Sequence, residues 1–259
     1  MSGLGALLWD VDGTLAETER DGHRVASNLA FEALQLPWHW DDARYAELLR
    51  VTGGRERLMH DMRTRDDAPA QAGQRATLAR ALHARKNTIY ADLVRAGLIP
   101  LRPGVQGLMR QCSERGVRMG IATTTSRSNV DALLGAHLGA RWTQWFAAVV
   151  CGEDVQRKKP DPEVYLKALH ALGIDPLEVA CIEDSPAGVA AARAAGIPVI
   201  VTRSTYFADA TLEGAAAIGP HLGQRRGWRP AAMVGDDEDA PVSLGDVQAW
   251  CRQPVAQSG

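Results

Sequence analysis

Asp10 and Asp12 flank Val11 in the run Asp10-Val11-Asp12-Gly13-Thr14, directly after a short apolar stretch. Alternation along an extended chain points two such carboxylates the same way, and Gly13 frees the backbone to turn behind them. An isolated pair of this kind is as often a loop or a helix cap. Three more polar clusters follow later apolar runs: Thr123-Thr124-Thr125-Ser126, Lys158-Lys159-Pro160 and Glu183-Asp184-Ser185. Each alone also has an ordinary reading, as a hydroxyl cap, a basic turn or an acidic cap. Together they bring carboxylates, a hydroxyl and an ammonium to neighbouring positions, a set for which a packed core has no use.

Phosphoryl transfer needs that set, because there the protein mainly positions groups and neutralises charge. Asp10 is the candidate nucleophile, attacking phosphorus in line to form an aspartyl phosphate. Asp12 is the candidate acid/base, protonating the leaving oxygen and then deprotonating water. Thr123 can donate to phosphoryl oxygens, and Lys159 can offset charge on the nucleophile and the transferring group. Mg2+ is a hard cation that favours oxygen donors. Asp10, Asp184 and the backbone carbonyl of Asp12 suit it, and Glu183 is counted in the same metal set.

Such groups have to be held side by side, and strand ends at one edge of a sheet do that. The apolar runs Ala6 to Trp9, Val117 to Ala122, Ala147 to Cys151, Val179 to Ile182 and Pro198 to Val201 are short. They read as strands buried on both faces. Helical patterns lie between the later ones: Gly104 to Arg115, Asn129 to His137, Pro162 to Leu172 and Pro186 to Ala195. Strand alternating with helix predicts an α/β fold with a Rossmann-like parallel sheet, whose sites lie beyond the carboxyl ends of the strands. From residue 17 to 97 the alternation stops and only helical signals remain. Val25, Leu29 and Ala33 repeat every four residues, and Leu78, Leu82, Ile89 and Leu93 form a second stripe. The expected organisation is an α/β core of residues 1–16 and 98–259 with an inserted all-helical cap of residues 17–97. Hinges are expected near Ala16 and Leu98. Past Gly219 the chain reads as a tail, in which the acidic run Gly235 to Asp239 is a solvated loop and Ser243 opens a short closing helix.

Composition removes several function classes. Of 259 residues, 46% are apolar, and 29 basic residues nearly balance 31 acidic ones for a net charge of -2. No bulk field attracts nucleic acid or an anionic membrane. The four cysteines, Cys112, Cys151, Cys181 and Cys251, show no CxxC spacing, so reduced thiols in a cytoplasmic protein are expected rather than a zinc site or disulfides. Leu4 to Trp9 is too short for a membrane span and lacks a basic leader. A monomer is the expectation.

The combination of the Asp10 to Thr14 run, Thr123, Lys159 before Pro160 and Glu183-Asp184 resembles the haloacid dehalogenase superfamily. The resemblance spans Asp10 to about Val201. The inserted helical segment is similar to the cap of the beta-phosphoglucomutase-like subfamily. Ala16-Glu17-Thr18-Glu19, Trp38-His39-Trp40, Thr52-Gly53-Gly54-Arg55-Glu56-Arg57 and Ala122 to Ser126 look like the CbbY-type phosphatases of Calvin-cycle organisms. That resemblance implies hydrolysis of xylulose-1,5-bisphosphate. Arg20-Asp21-Gly22-His23 departs from the commonest family form, in which a shorter run precedes the histidine. No substrate contact is therefore carried over to Arg20 or His23.

For a substrate with a second phosphate, the insertion should supply cations. Arg55 beside Gly54 is the first candidate, since glycine admits a ligand to the backbone and a guanidinium grips phosphate bidentately. Lys86 is the second, with a solvated helix-face lysine as an equal alternative. Glu17 and Glu19 are candidates for sugar hydroxyls, although acids in a first helical turn also explain themselves. Thr124 joins Thr123 and Lys159 as a phosphate contact. Trp38 and Trp40 fit the insertion's own core better than a cleft wall. Competing functions are a phosphosugar mutase, a phosphoglycolate phosphatase and, from another class, a phosphate-binding regulator without turnover.

Overall fold

The computed structural model describes residues 3–231 and 237–252, so Gly235 and Asp236 of the acidic run lie outside the described residues. Six strands form one sheet: β1 (Ala6–Trp9), β2 (Arg118–Ala122), β3 (Ala148–Val150), β4 (Val179–Glu183), β5 (Val199–Thr202) and β6 (Ala217–Gly219). Their order is β3-β2-β1-β4-β5-β6 and every pairing is parallel. Five strands fall within about a residue of the expected runs. Ala6, Leu7, Leu8 and Trp9 are all fully buried, which is why β1 reads as an unbroken apolar run.

β6 was expected as the start of the tail. It has three residues, and Ile218 bridges back to Arg229. Gly219 is needed there because a Cβ would meet the Trp228 indole at 2.2 Å. The Trp228 ring stacks on Trp250 at 4.5 Å, so the tail is packed rather than loose. Trp250 belongs to the closing helix α9 (Leu244–Arg252). Ser243 caps it reciprocally with Asp246: Asp246 N donates to Ser243 Oγ at 3.2 Å and Ser243 N to Asp246 Oδ2 at 2.8 Å.

Helices α5 (Val105–Glu114), α6 (Arg127–Leu138), α7 (Glu163–Leu172) and α8 (Pro186–Ala194) cover the sheet. Between β1 and β2 the chain is helical: a π-helical stretch over Thr18–His23 runs into α1 (Arg24–Ala33), followed by α2 (Asp42–Leu48), α3 (Gly54–Met62) and α4 (Ala72–Arg95). In α4 the expected stripe is correct, with Leu82 and Ile89 buried and Leu78 and Leu93 packed beside them. In α1 it is not. Leu29 is 38% exposed, and the buried face carries Ala26, Ala30 and Phe31. The reason is the company of Phe31, which meets Trp40 edge-on at 4.9 Å and Trp38 at 5.6 Å. These aromatics bury far more area than Leu29 could, and they fix the helix face.

Among the described residues no helix is long and apolar enough to cross a membrane.

Candidate active site

Asp10 follows β1 at the carboxyl edge of the sheet, flanked there by the ends of β2 and β4. Lys159, on the connection from β3 to α7, reaches in beneath it. Its Nζ donates to Asp10 Oδ1 at 2.7 Å, Glu183 Oε1 at 2.6 Å and the Ala122 carbonyl at 2.9 Å. An ammonium has three hydrogens, so every donor is used. Burial lowers the lysine pKa, but the carboxylates of Asp10 and Glu183 outweigh it and hold the ammonium well above its ordinary value.

Glu183 is engaged on both oxygens. Oε1 also accepts from the Tyr165 hydroxyl at 2.6 Å, and Oε2 accepts from Asp184 N at 3.1 Å. Gly188 of α8 makes room for it, since a Cβ there would lie 2.0 Å from the carboxylate. Glu183 thus braces Lys159 from below while its carboxylate stays within the acidic group beside Asp10 and Asp184. Asp184, 3% exposed, is the freer acid. Its carboxylate lies over Gly13, where φ is +81° and a Cβ would stand 2.0 Å from Oδ2. Only glycine serves both needs.

Oxygens of Asp10, Glu183 and Asp184 lie within 4.8 Å of one another. Burial lifts Asp10 to about 7, against the pull of Lys159. It lifts Asp184 well above the carboxylate range, and Asp10 and Glu183 push the same way. Crowded, desolvated carboxylates of this kind fit a hard divalent cation, whose charge offsets both effects.

Asp12 has a different environment. Burial alone would raise it, but the His23 ring and the Thr18 hydroxyl hold its carboxyl below the usual range. Thr18 Oγ1 donates to Asp12 Oδ1 at 2.7 Å and His23 Nε2 stands 3.0 Å from the same atom. A carboxylate only accepts, so Nε2 carries the hydrogen. The π-helical stretch explains the longer run before the histidine: its wider turn brings residues five apart toward one face. Thr18 and His23 are five apart, and both meet Asp12. Gly22 completes the turn, because a Cβ would approach Ile99 to 2.7 Å and Tyr90 to 2.8 Å.

Behind this loop Arg102, 8% exposed, donates to the carbonyls of Gly13, Thr202 and Arg203. Glu17 lies beside it, with Oε1 3.5 Å from Arg102 Nε and Oε2 accepting from Thr205 N at 3.2 Å. Glu17 is not among the residues lining the cavity, and in this arrangement its carboxylate serves the scaffold through Arg102 and Thr205.

A cavity of about 550 Å³ separates the sheet edge from the helical insertion. From the sheet side it is lined by Asp10, Asp12, Thr123, Thr124, Lys159 and Asp184. Thr123 Oγ1 accepts from Thr125 N at 3.3 Å, which leaves the hydroxyl hydrogen for another acceptor. From the insertion come Glu19, Gly54, Arg55 and Lys86. Lys86 is 5% exposed, which rules out the solvated-face alternative. Burial pushes its pKa down to about 8, against Asp12 and Glu19. Arg55 is 58% exposed by its side chain and sits at the rim. Trp38 is core, whereas Trp40 is both core and cavity wall.

The sequence assigns no role to Tyr45, Arg57, His83 and Tyr165. Glu19 accepts from Tyr45 Oη and from Arg57, whose Nη1 and Nη2 both lie 3.3 Å from the carboxylate. Arg57 is 6% exposed, and burial of so hydrophilic a side chain could not be read from one chain. Burial, with help from Lys86, lowers His83 to about 4, so it faces the cavity neutral. Tyr165 lies five residues past Pro160, with no local motif to mark it.

Comparison with known proteins fits this geometry. Residues 4–196 match the model of the haloacid dehalogenase-like hydrolase family. Over 247 residues the chain is 48% identical to the plasmid-encoded protein CbbY of Cupriavidus necator, covering 95% of this chain and 96% of that protein. It is similar to the crystal structure of a CbbY mutant from Rhodobacter sphaeroides in complex with xylulose-(1,5)bisphosphate. The TM-score is 0.79 and the identity 37%, with 85% of this chain and 96% of that one covered. The structure of CbbY from the same organism with phosphate gives a TM-score of 0.77 at 38% identity, covering 82% and 92% of the two chains.

Proposed function

The chain belongs to the haloacid dehalogenase-like hydrolases, and from that premise we propose that it is a Mg2+-dependent phosphatase of a small sugar bisphosphate. Xylulose-1,5-bisphosphate is the substrate the similarity to CbbY supports. The single observation that carries the chemistry is the Lys159 ammonium joined at once to Asp10 and Glu183 in the cavity floor. It fixes one oxygen of Asp10 and leaves the carboxylate aimed by a buried, fully paired cation.

Asp10 attacks phosphorus in line. The bond from phosphorus to the sugar oxygen breaks, and the phosphoryl group resides on the Asp10 carboxylate. Asp12 supplies a proton to the departing oxygen, then takes one from the water that attacks the aspartyl phosphate. Its two bonds from Thr18 and His23 orient it for both steps and hold it ionised until the substrate's negative charge raises its proton affinity. Thr123 donates to a phosphoryl oxygen. Asp10, Asp184 and the backbone carbonyl of Asp12 would hold Mg2+, which supplies positive charge against the phosphoryl oxygens when bound.

The helical insertion, residues 17–97, is the cap in this reading. Glu19 with Arg57 and Tyr45 faces the sugar, while Lys86 and Arg55 face the distal phosphate. Closing the cap displaces water from around the phosphoryl group, which strengthens the charge interactions that align it with Asp10.

Asp10→Asn tests the reading. Phosphate release from xylulose-1,5-bisphosphate with Mg2+ should fall below about a thousandth of the parent rate, because no covalent route remains. Unchanged turnover in the variant would sink the proposal, and a phosphate moved to another sugar position by the parent enzyme would indicate a mutase.

A further inference from the structure

Ser126 breaks a local rule. It occupies the N-cap position of α6 with extended φ and ψ of -73° and 147°, yet its side chain makes no capping bond. Serine there ordinarily accepts from the second or third amide of its own helix. Instead its Oγ accepts from Asn87 Nδ2 at 3.2 Å, across 39 residues, from the helical insertion. The first amide of α6 is taken elsewhere, by the Glu153 carboxylate at 3.1 Å. A departure from local preference of this kind marks a site where another demand prevails.

Asn87 has a second bond. Lys86 Nζ donates to Asn87 Oδ1 at 3.2 Å. An ammonium can only donate, so the amide oxygen must face Lys86 and the amide nitrogen must face Ser126. The orientation of the amide is therefore dictated by its neighbours. Ser126 Oγ lies 3.3 Å from Ser128 Oγ, which completes the relay on the α6 side. Lys86 is otherwise surrounded by charges that do not hold its head in one place. Asp12 and Glu19 attract it, Arg57 repels it, His83 faces the same cavity, and the Tyr90 ring lies 5.6 Å from Nζ.

We infer that Asn87 is a positioning residue: it links the Lys86 ammonium to the Ser126 hydroxyl, so that seating α4 on α6 and aiming Lys86 into the cavity are one event. With the insertion displaced from the sheet, Asn87 loses Ser126 and Lys86 loses a fixed acceptor. With it seated, the cation stands where an anionic sugar phosphate meets it. The inference rests on the reading of Lys86 as a substrate cation.

Double-mutant cycles of two kinds, kinetic and folding, test it on the full chain. In the kinetic cycle, Asn87→Ala lowers kcat/KM for xylulose-1,5-bisphosphate about tenfold, mostly through KM, as expected for a bond to a charged group. In a Lys86→Ala background the same change costs less than about twofold, because the group it acts through is gone. Asn87→Asp, which keeps an acceptor for Lys86, retains most of the activity. Equal losses in both backgrounds overturn the inference, since a merely structural role adds independently. The second cycle pairs Asn87→Ala with Lys86→Ala and with Ser126→Ala and reads urea unfolding without ligand. Coupling above about threefold in the folding equilibrium constant is expected for each pair, and additivity overturns the relay. That cycle needs no turnover. A chain that leaves the bisphosphate intact while showing the coupling therefore counts against the proposed function alone.

Discussion

Two buried lysines in one cavity show how little burial alone says about a residue's worth. Lys159 and Lys86 are 4% and 5% exposed. Lys159 has an acceptor for each hydrogen and two carboxylates beside it, and its pKa is raised. Lys86 has one amide acceptor, and its pKa is lowered from 10.5 to about 8. Opposite stability effects follow. Lys159→Met strands two buried carboxylates and should destabilise the fold by about 3–5 kcal/mol at neutral pH. Lys86→Met should stabilise it by about 2–3 kcal/mol below pH 8, because the buried charge it removes is only weakly compensated. The sign against pH is fixed by linkage. Below about 8 both folded and unfolded chains hold the Lys86 proton and the full burial cost is present. Between there and 10.5 only the unfolded chain holds it, so wild-type stability rises with pH and the advantage of Lys86→Met fades. Urea midpoints at pH 7 and pH 10 measure this. A midpoint for Lys86→Met below that of wild type at pH 7 would contradict it. The expected gain comes with weaker substrate binding, the usual exchange where a site stores unfavourable charge.

Among elements, the helical insertion depends on Asp61 of α3, 1% exposed. Its carboxylate accepts from Trp40 Nε1 at 2.8 Å, Arg44 Nη2 at 2.6 Å and Arg65 Nε at 2.7 Å. One acid thus joins α3 to α2 and to the Trp38 to Trp40 loop, which Asn28 of α1 grips through the Trp40 backbone. Asp61→Ala leaves a buried indole hydrogen and guanidinium hydrogens unpaired, so a loss of about 3 kcal/mol is expected. Limited proteolysis should then open the insertion before the sheet. Simultaneous cleavage of both would show that Asp61 serves the whole fold. None of this was legible in the sequence, where Asp61 is one acid among many. What was legible was whatever has a short period or a fixed partner type. The apolar runs set β1 to β5, the acids and the lysine at their ends set the floor of the cavity, and Leu82 and Ile89 set the face of α4. The face of α1 was misread because aliphatic spacing at Val25, Leu29 and Ala33 carries no information about Trp38 and Trp40, which reach it from a loop. β6 was missed because three residues are too few for a period. His23 was unassigned because its approach to Asp12 depends on a π-helical turn that sequence spacing does not announce.

At the scale of the whole molecule, the sheet edge and the insertion meet along seams of different physical character. One is the neutral Asn87 to Ser126 bond. A second, on the side of the loop after β5, joins Tyr206 Oη to Asp42 Oδ1 at 2.9 Å, with the Tyr206 ring 5.5 Å from Tyr45. A third is ionic: Lys158 Nζ, next to Lys159 in the chain, stands 2.9 Å from Glu56 Oε2 on α3. Its side chains are 22% and 37% exposed, so it is worth no more than about 1 kcal/mol. Breaking it should therefore loosen the closed arrangement without touching the chemistry. Glu56→Gln keeps the shape and removes the charge. The expected result is a KM for the sugar bisphosphate raised about two- to fivefold at low ionic strength, with kcat unchanged, as a pair of that strength allows. Since the Debye length falls to about 3 Å at 1 M salt, wild type and variant should converge there even though both bind the anionic substrate more weakly. The ratio of the two KM values across a salt series is the measurement. A ratio that stays constant from low to high salt would mean that Glu56 acts by shape within the cavity rather than as the charged half of the contact with Lys158.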